Sequence, residues 1–236
     1  MRNVLFLLLC CFSLSASAQW WSSTIRGNGE VITQERDARN FRGVQACCNM
    51  QVEISKGDFA VTIEAESNIA AEIATDVSGG RLEINFKRST NIKTTRPIKV
   101  FVTMPELDYL GASSSCNIRT RDTFDGDELE ADASSSGDIE VAFTGQRLRA
   151  RSSSAGKIEI SGVVDRVRAS ASSGGRVDTE NVRAKRADAN ASSGGKVIVF
   201  ASDELEADAS SGGKIRYSGS PRLDVDTSSG GSVKGS

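Results

Sequence analysis

The sequence predicts an all-β solenoid: a parallel β-helix, expected to be right-handed, with about seven regular C-terminal coils behind a less regular β segment. Three observations predict it. A Ser-Ser-x-Gly turn recurs every 18 to 21 residues. The residues before each turn alternate between apolar and polar. Gly, Ser and Ala are abundant, while 236 residues include only three prolines and 6% aromatics.

The repeat is clearest at the β-branched residue after each turn: Ile118, Ile139, Ile158, Val177, Val197, Ile215 and Val233, spaced by 21, 19, 19, 20, 18 and 18. Two residues earlier stand Cys116, Gly137, Gly156, Gly175, Gly195, Gly213 and Gly231, and four and five residues earlier always Ser-Ser. Before the turns, segments such as 187–191 (ADANA) and 205–209 (LEADA) have period two, the mark of a strand with one buried face. A second short strand follows each turn, as at 139–141 (IEV) and 158–160 (IEI). Two strands and their turns in about 19 residues make one circuit of a solenoid, whose coils bury a core only by stacking. Propeller blades need about 40 residues, and helical repeats would lack the alternation. Inward alanines allow only a thin interior. The six glycines from Gly137 to Gly231 read as structural, suiting a sharp bend or positive φ.

Upstream, candidate strands lie at 44–55, 60–65, 81–86 and 98–104, separated by Lys56-Gly57-Asp58 and Ser78-Gly79-Gly80. The second break echoes the later turns. The region therefore reads as a degenerate start of the solenoid or as the cap that a free strand edge requires.

Residues 1–18 read as a signal peptide: Arg2, the apolar run VLFLLLCCF, then Ala16-Ser17-Ala18. The run is too short to span a bilayer, and no later stretch qualifies as a transmembrane span. Residues 19–40 are an N-terminal segment, and 41–236 a single domain, divided into an irregular β part (41–106) and the coils (107–236). Without Arg2 the charge is 28 basic against 31 acidic residues, net −3, which excludes the basic footprint of a nucleic-acid binder.

Export permits disulfides. Cys47, Cys48 and Cys116 follow the signal segment. Neighbouring cysteines rarely bond each other, because bridge geometry does not suit them. In an extended strand Cys48 would point inward with Val44, Ala46 and Met50. Two readings stay open: buried small apolar residues, or a bridge from this pair, Cys48 to Cys116.

The chain has no histidine, which removes Ser-His-Asp triads, Cys-His dyads and His-ligated zinc. No catalytic, cofactor-binding or metal-ligating residues are expected. The Ser-Ser pairs sit beside Gly in turns, where small polar residues belong. Outward carboxylates recur at Asp138, Glu140, Glu159, Asp178, Glu206 and Asp208. However, Lys157, Arg176, Lys196 and Lys214 fill the position matching Asp138, so they read as a mixed solvated face. Asp125-Gly126-Asp127 reads as a turn.

The VEISKGDFAVTIEA segment, the PIKVFVTMPELDYLGASSS segment and the repeated ASSGG coils together resemble the putative auto-transporter adhesin head GIN domain family over about 41–236. That resemblance implies a β-helical fold, export in Gram-negative bacteria and an adhesive role. It implies no catalytic residues. The leading expectation is an exported, non-catalytic protein presenting a rigid solenoid face to a glycan or protein at the cell surface. The alternatives are a structural envelope module self-associating through coil ends and, third, a carbohydrate-active enzyme.

Overall fold

The structure, a computed structural model, describes residues 24–87 and 91–236. The segment read as a signal peptide lies outside the described residues. The chain runs through β1 (Thr24–Arg26), β2 (Val31–Arg36), β3 (Gly43–Ala46), β4 (Met50–Lys56) and β5 (Ala60–Glu66). A short helix α1 (Ser67–Ala70) leads into β6 (Ile73–Ser78), β7 (Arg81–Phe86), β8 (Asn91–Lys93) and β9 (Ile98–Met104). The coils follow as β10 (Tyr109–Ala112), β11 (Asn117–Ala133), β12 (Asp138–Ser152), β13 (Lys157–Ala171) and β14 (Arg176–Ala191). They finish with β15 (Lys196–Phe200), β16 (Glu204–Ala209), β17 (Lys214–Ser218), β18 (Arg222–Thr227) and β19 (Ser232–Gly235).

From β10 onward every pairing is parallel, and the coils form a β-solenoid of about seven turns. Residues in one repeat position stack in register: Ile118, Ile139, Ile158, Val177, Val197 and Ile215 form one buried column. Leu129, Leu148, Val167, Ala187 and Leu205 form a second. Each buried aliphatic side chain contributes roughly 1.5–3 kcal/mol, and a coil obtains this only from its neighbours.

Two short strands per coil were expected, yet β11 to β14 run unbroken for 15 to 17 residues. The corner between the two segments keeps its β hydrogen bonding. It also absorbs differences in coil length. Asn117 pairs with Asp138, whereas Thr123 pairs with Ala142, so two extra residues are accommodated between Arg119 and Thr123. Asp125 and Gly126, expected in a turn, lie within β11 at this corner.

The Ser-Ser turns are tight. In the coil ending β12, Gly156 N–H donates to the Ser153 carbonyl at 2.9 Å, and the two central residues, Ser154 and Ala155, have φ of 48° and 59°. Two left-handed residues in succession define a type I′ turn. In four coils the second of them is a further glycine, such as Gly194 at φ 73°. The glycines singled out from sequence (Gly137, Gly156, Gly175, Gly195, Gly213, Gly231) do not have positive φ. Their requirement is different. A Cβ at Gly195 would stand 2.2 Å from the carbonyl oxygen of Ala171 in the preceding coil, and one at Gly213 would stand 2.1 Å from that of Ala191. Glycine is needed there for close approach between coils.

The regular stack extends one coil further upstream than the repeat suggests. β3 and β4 pair in parallel with β10 and β11, aligning Ala46 with Ala112 and Gln51 with Asn117. Cys47-Cys48-Asn49 thus occupies the position of Ser113-Ser114-Ser115. Cys48 and Asn49 have φ of 70° and 57°, matching 51° and 60° at Ser114 and Ser115. This overturns the reading of a Cys48–Cys116 bridge, while the reading of a buried small apolar residue holds for Cys116. The chain turns at Cys48, so the inward phase assumed for a continuous 44–55 strand is lost. The bond is Cys47–Cys48, and Cys116 is free and buried. Cys116 stacks between Met50 and Gly137, and burial pushes its thiol pKa up to about 12.

On the far side of this coil lie β7 and β9, still parallel to β3 and β4. Antiparallel strands then close the end: β6 on β7, β5 on β9, and β2 on β5. Ser78-Gly79-Gly80 is therefore at a hairpin and not a coil corner, with both glycines at positive φ. The edge strands missed in the sequence, β1, β2, β6 and β8, are short and mostly exposed.

The buried carboxylate of Glu66 ties this cap together. It accepts hydrogen bonds from the Thr95 hydroxyl (2.6 Å), Thr95 N–H (2.9 Å), Gly29 N–H (2.7 Å) and Arg96 N–H (3.4 Å). The Thr95 hydroxyl leads these donors in holding its pKa down to about 2 against the ordinary 4.5, outweighing the opposing effect of burial. At the opposite end, β18 and β19 pair on one side only. Leu223 and Val225, in the inward columns, are 46% and 44% exposed.

Two outcomes are expected. Gly195→Val should lower stability by about 3 kcal/mol through the clash with Ala171. Gly194→Ala, left-handed but with open space around the added Cβ, should cost about 1 kcal/mol; thermal melts of both variants check the order. The folded-state pKa of Glu66 is depressed, so its contribution is fully present above about pH 4.5 and is lost as pH falls through about 2. Glu66→Gln should flatten that acid limb of a denaturation series.

Candidate functional site

Each coil presents two outward faces, one on either side of its Ser-Ser turn. On the post-turn face, Asp138, Lys157, Arg176, Lys196 and Lys214 stack in register. The carboxylates considered from sequence do not converge on one site. Asp138, Glu140, Glu159 and Asp178 stand here, while Glu206 and Asp208 stand on the pre-turn face. Ion pairs engage Glu140 with Arg119 (2.8 Å), Glu159 with Lys157 (3.2 Å) and Asp178 with Arg176 (2.7 Å). The Lys196 pKa is lowered by partial desolvation and then by Arg176 and Arg216.

The pre-turn face is a flat array three residues wide, because apolar residues between the outward ones point into the stack. Successive coils contribute Glu128, Glu130 and Asp132, then Arg147, Arg149 and Arg151, then Arg166, Arg168 and Ser170. The next coil adds Arg186, Asp188 and Asn190, and the one after it Glu204, Glu206 and Asp208. The array is banded, with acidic coils on either side of arginine-rich ones.

At the band boundaries the charges neutralise one another. Arg151 pairs with Glu130 and with Asp132, the latter at 2.9 Å. Arg147 and Arg149 share Glu128 at 3.0 and 3.4 Å. Arg168 pairs with Asp188 at 3.2 Å, and Arg186 lies 3.8 Å from Glu204, which binds Arg222 at 2.6 Å. Arg166 differs. Its register neighbours are Arg147 and Arg186, and among the described residues no carboxylate pairs with it. Stacked strands are about 4.8 Å apart, and like charges at about 4 Å repel by about 1 kcal/mol in water and several times more near a protein surface.

Along one edge of this face runs a groove of about 490 Å³ over five coils. One wall is the outward column Asp132, Arg151, Ser170, Asn190 and Asp208; the other is the first serine of each turn, including Ser153, Ser172 and Ser192. Its floor includes the buried Ala133, Ala171 and Ala191. Ser152 replaces alanine in that column and turns its hydroxyl away to donate to the Gly156 carbonyl at 2.6 Å. The groove thus offers a ladder of turn serines at one-coil spacing, facing a wall that is charged at Asp132, Arg151 and Asp208 and neutral at Ser170 and Asn190. That arrangement suits an extended, hydroxyl-rich ligand, since alternate donors and acceptors meet it at every coil. Among the described residues no group of His, Cys, Asp and Glu is placed to hold a metal ion, and no helix is long and apolar enough to cross a membrane.

The turn serines were read from sequence as architecture. They are that, and they also form the groove wall. The arginine band was overlooked, although the alternation in RLRAR (147–151) and RVRAS (166–170) carries it.

The fold has counterparts. The family described as putative auto-transporter adhesin, head GIN domain, matches residues 40–221, and the chain belongs to it. The chain is similar in structure to a putative adhesin from Bacteroides fragilis, with a TM-score of 0.83, 19% identity, and coverage of 89% of this chain and 99% of that one. It is also similar to a putative lipid binding protein from Parabacteroides distasonis (TM-score 0.75, 22% identity, 91% and 100% covered). A third likeness is to a putative adhesin from Parabacteroides merdae (TM-score 0.74, 17% identity, 91% and 99% covered). At these identities the solved structures establish the fold. No curated protein matches.

Proposed function

We propose that the chain is an exported, non-catalytic binding protein of the adhesin type, which presents the pre-turn face of its solenoid to a glycan at the cell surface. The observation that carries this reading is the groove of about 490 Å³, walled by turn serines on one side and by Ser170 and Asn190 on the other. A ligand held there meets a turn serine at each coil on one wall, so many weak contacts add along its length. The stacked backbone fixes the groove in advance, which lowers the ordering cost of binding. Export rests on the signal-like residues 1–18, and the adhesive role on family membership.

A second reading, an assembly module joined through coil ends, is favoured by one observation. The last coil leaves Leu223 and Val225 exposed on a strand edge paired on one side only.

One experiment addresses both. The chain from Gln19 onward is applied to a glycan array, and its oligomeric state is measured by sedimentation at the same concentrations. Binding to a defined glycan set is expected, and Asn190→Trp should weaken it at least about tenfold by filling the groove while leaving the melting temperature unchanged. An array without binding, with reversible oligomers abolished by Leu223→Asp, would replace the first reading with the second.

A further inference from the structure

The arginine band is a charged feature of the pre-turn face that the groove does not explain. Five guanidinium groups, from Arg147, Arg149, Arg166, Arg168 and Arg186, occupy three consecutive coils of one flat face. Against them stand Glu128, Asp188 and Glu204, the last shared with Arg222. If the outward residues served solubility alone, alternating signs in register would serve better, because like charges directly opposite in a sheet destabilise it. Such alternation does occur at the band boundaries. It stops at Arg166, which has an arginine on either side and no carboxylate partner among the described residues. Beside it, Arg147, Arg149, Arg166 and Arg168 line a depression of about 130 Å³ together with buried Leu148 and with Glu128, whose carboxylate is taken up by Arg147 and Arg149.

We propose that this band is an anion-recognition site for a linear acidic polysaccharide, whose carboxylate or sulfate groups bind the guanidinium groups around Arg166 while the neutral part of the chain occupies the adjoining groove. This rests on the glycan-binding reading above and names the class of glycan. Arginine suits either group, because its planar fork binds two oxygens at once. The bands on both sides argue against a broad anionic surface. Glu128, Glu130 and Asp132 on one side, and Glu204, Glu206 and Asp208 on the other, would repel a membrane plane or a long duplex laid along the stack. A narrow, flexible chain with spaced charges avoids them. Ser170 and Asn190, on the same strands as Arg168 and Arg186, stand in the groove wall beside the band.

Binding of the chain from Gln19 onward to immobilised polygalacturonate, dextran sulfate and neutral dextran tests this. Saturable binding to one or both anionic polymers is expected, weakening as salt rises. Binding to only one of them identifies the group as carboxylate or sulfate, and binding to both shows that either group is accepted. The double variant Arg166→Glu/Arg168→Glu should lose at least about tenfold in affinity. Lys196→Glu/Lys214→Glu, on the post-turn face, should change it less than about twofold. Should the arginine double variant fold poorly, Arg166→Gln, which removes one unpaired charge, should still weaken binding with an unchanged melting temperature. The proposal is overturned if the lysine variant loses binding and the arginine variants do not. Tighter binding to duplex DNA or to phosphatidylglycerol vesicles than to either polysaccharide would also overturn it. Neutral-glycan binding that responds to Asn190→Trp but not to the arginine variants would remove this inference and leave the groove reading standing.

Discussion

The closeness of successive coils at their turns is the constraint on which the rest of the structure depends. At Gly137, Gly156, Gly175, Gly195, Gly213 and Gly231 the chain passes so near the preceding coil that a Cβ would fall 2.0 to 2.6 Å from its carbonyl oxygen. That approach lets turn amides and carbonyls bond between coils, as from Ser136 N–H to the Ser154 carbonyl at 3.1 Å and from Gly194 N–H to that of Ser211 at 3.2 Å. A turn pinned in this way cannot slip by a residue. A one-residue slip would send the inward Leu, Ala and Ile columns to solvent. The corner opposite is free to absorb length differences because it carries no such contact requirement at every coil.

The same constraint builds the candidate site. With register fixed at the turn, the outward positions of consecutive coils line up at one-coil spacing, and charges distant in sequence become neighbours. Arg147, Arg166 and Arg186 are 19 and 20 residues apart in the chain and adjacent on the face. The groove has the same origin. Its serine wall consists of turn residues, its alanine floor of residues that the thin interior requires. Architecture and candidate site are therefore not separate sets of side chains.

Much of this was legible in the sequence, for a physical reason. A solenoid repeats its local environment, so the pattern Ser-Ser-x-Gly followed by a β-branched residue reports both the turn and the buried column. The glycines were located correctly, but their cause was not, because a positive φ and a close approach between coils select the same residue. The cysteines were misplaced because Ala-Cys-Cys-Asn-Met shares no residue with the later turns beyond its alanine, although it occupies their position. Only pairing with Ala112 and Asn117 shows it to be a coil corner. The cap was the least legible part. Strands β2 and β6 are short and largely exposed, so they carry little hydrophobic periodicity, and Glu66 looks like any surface acid until its four donors are assembled. The arginine band needed no structure to be seen, only the register that makes alternate arginines in two coils into one patch.

Native-state hydrogen exchange, resolved coil by coil, tests the central role of the turn contacts most directly. If the turns pin the stack, the amides of Ala155, Gly174 and Gly194, which donate to the Ser173, Ser193 and Ser211 carbonyls of the next coil, should exchange as slowly as those of the inward Ala150, Ala169 and Ala189. Turn amides that exchange freely while the strand amides stay protected would contradict the account, because the stack would then be held by its core columns alone.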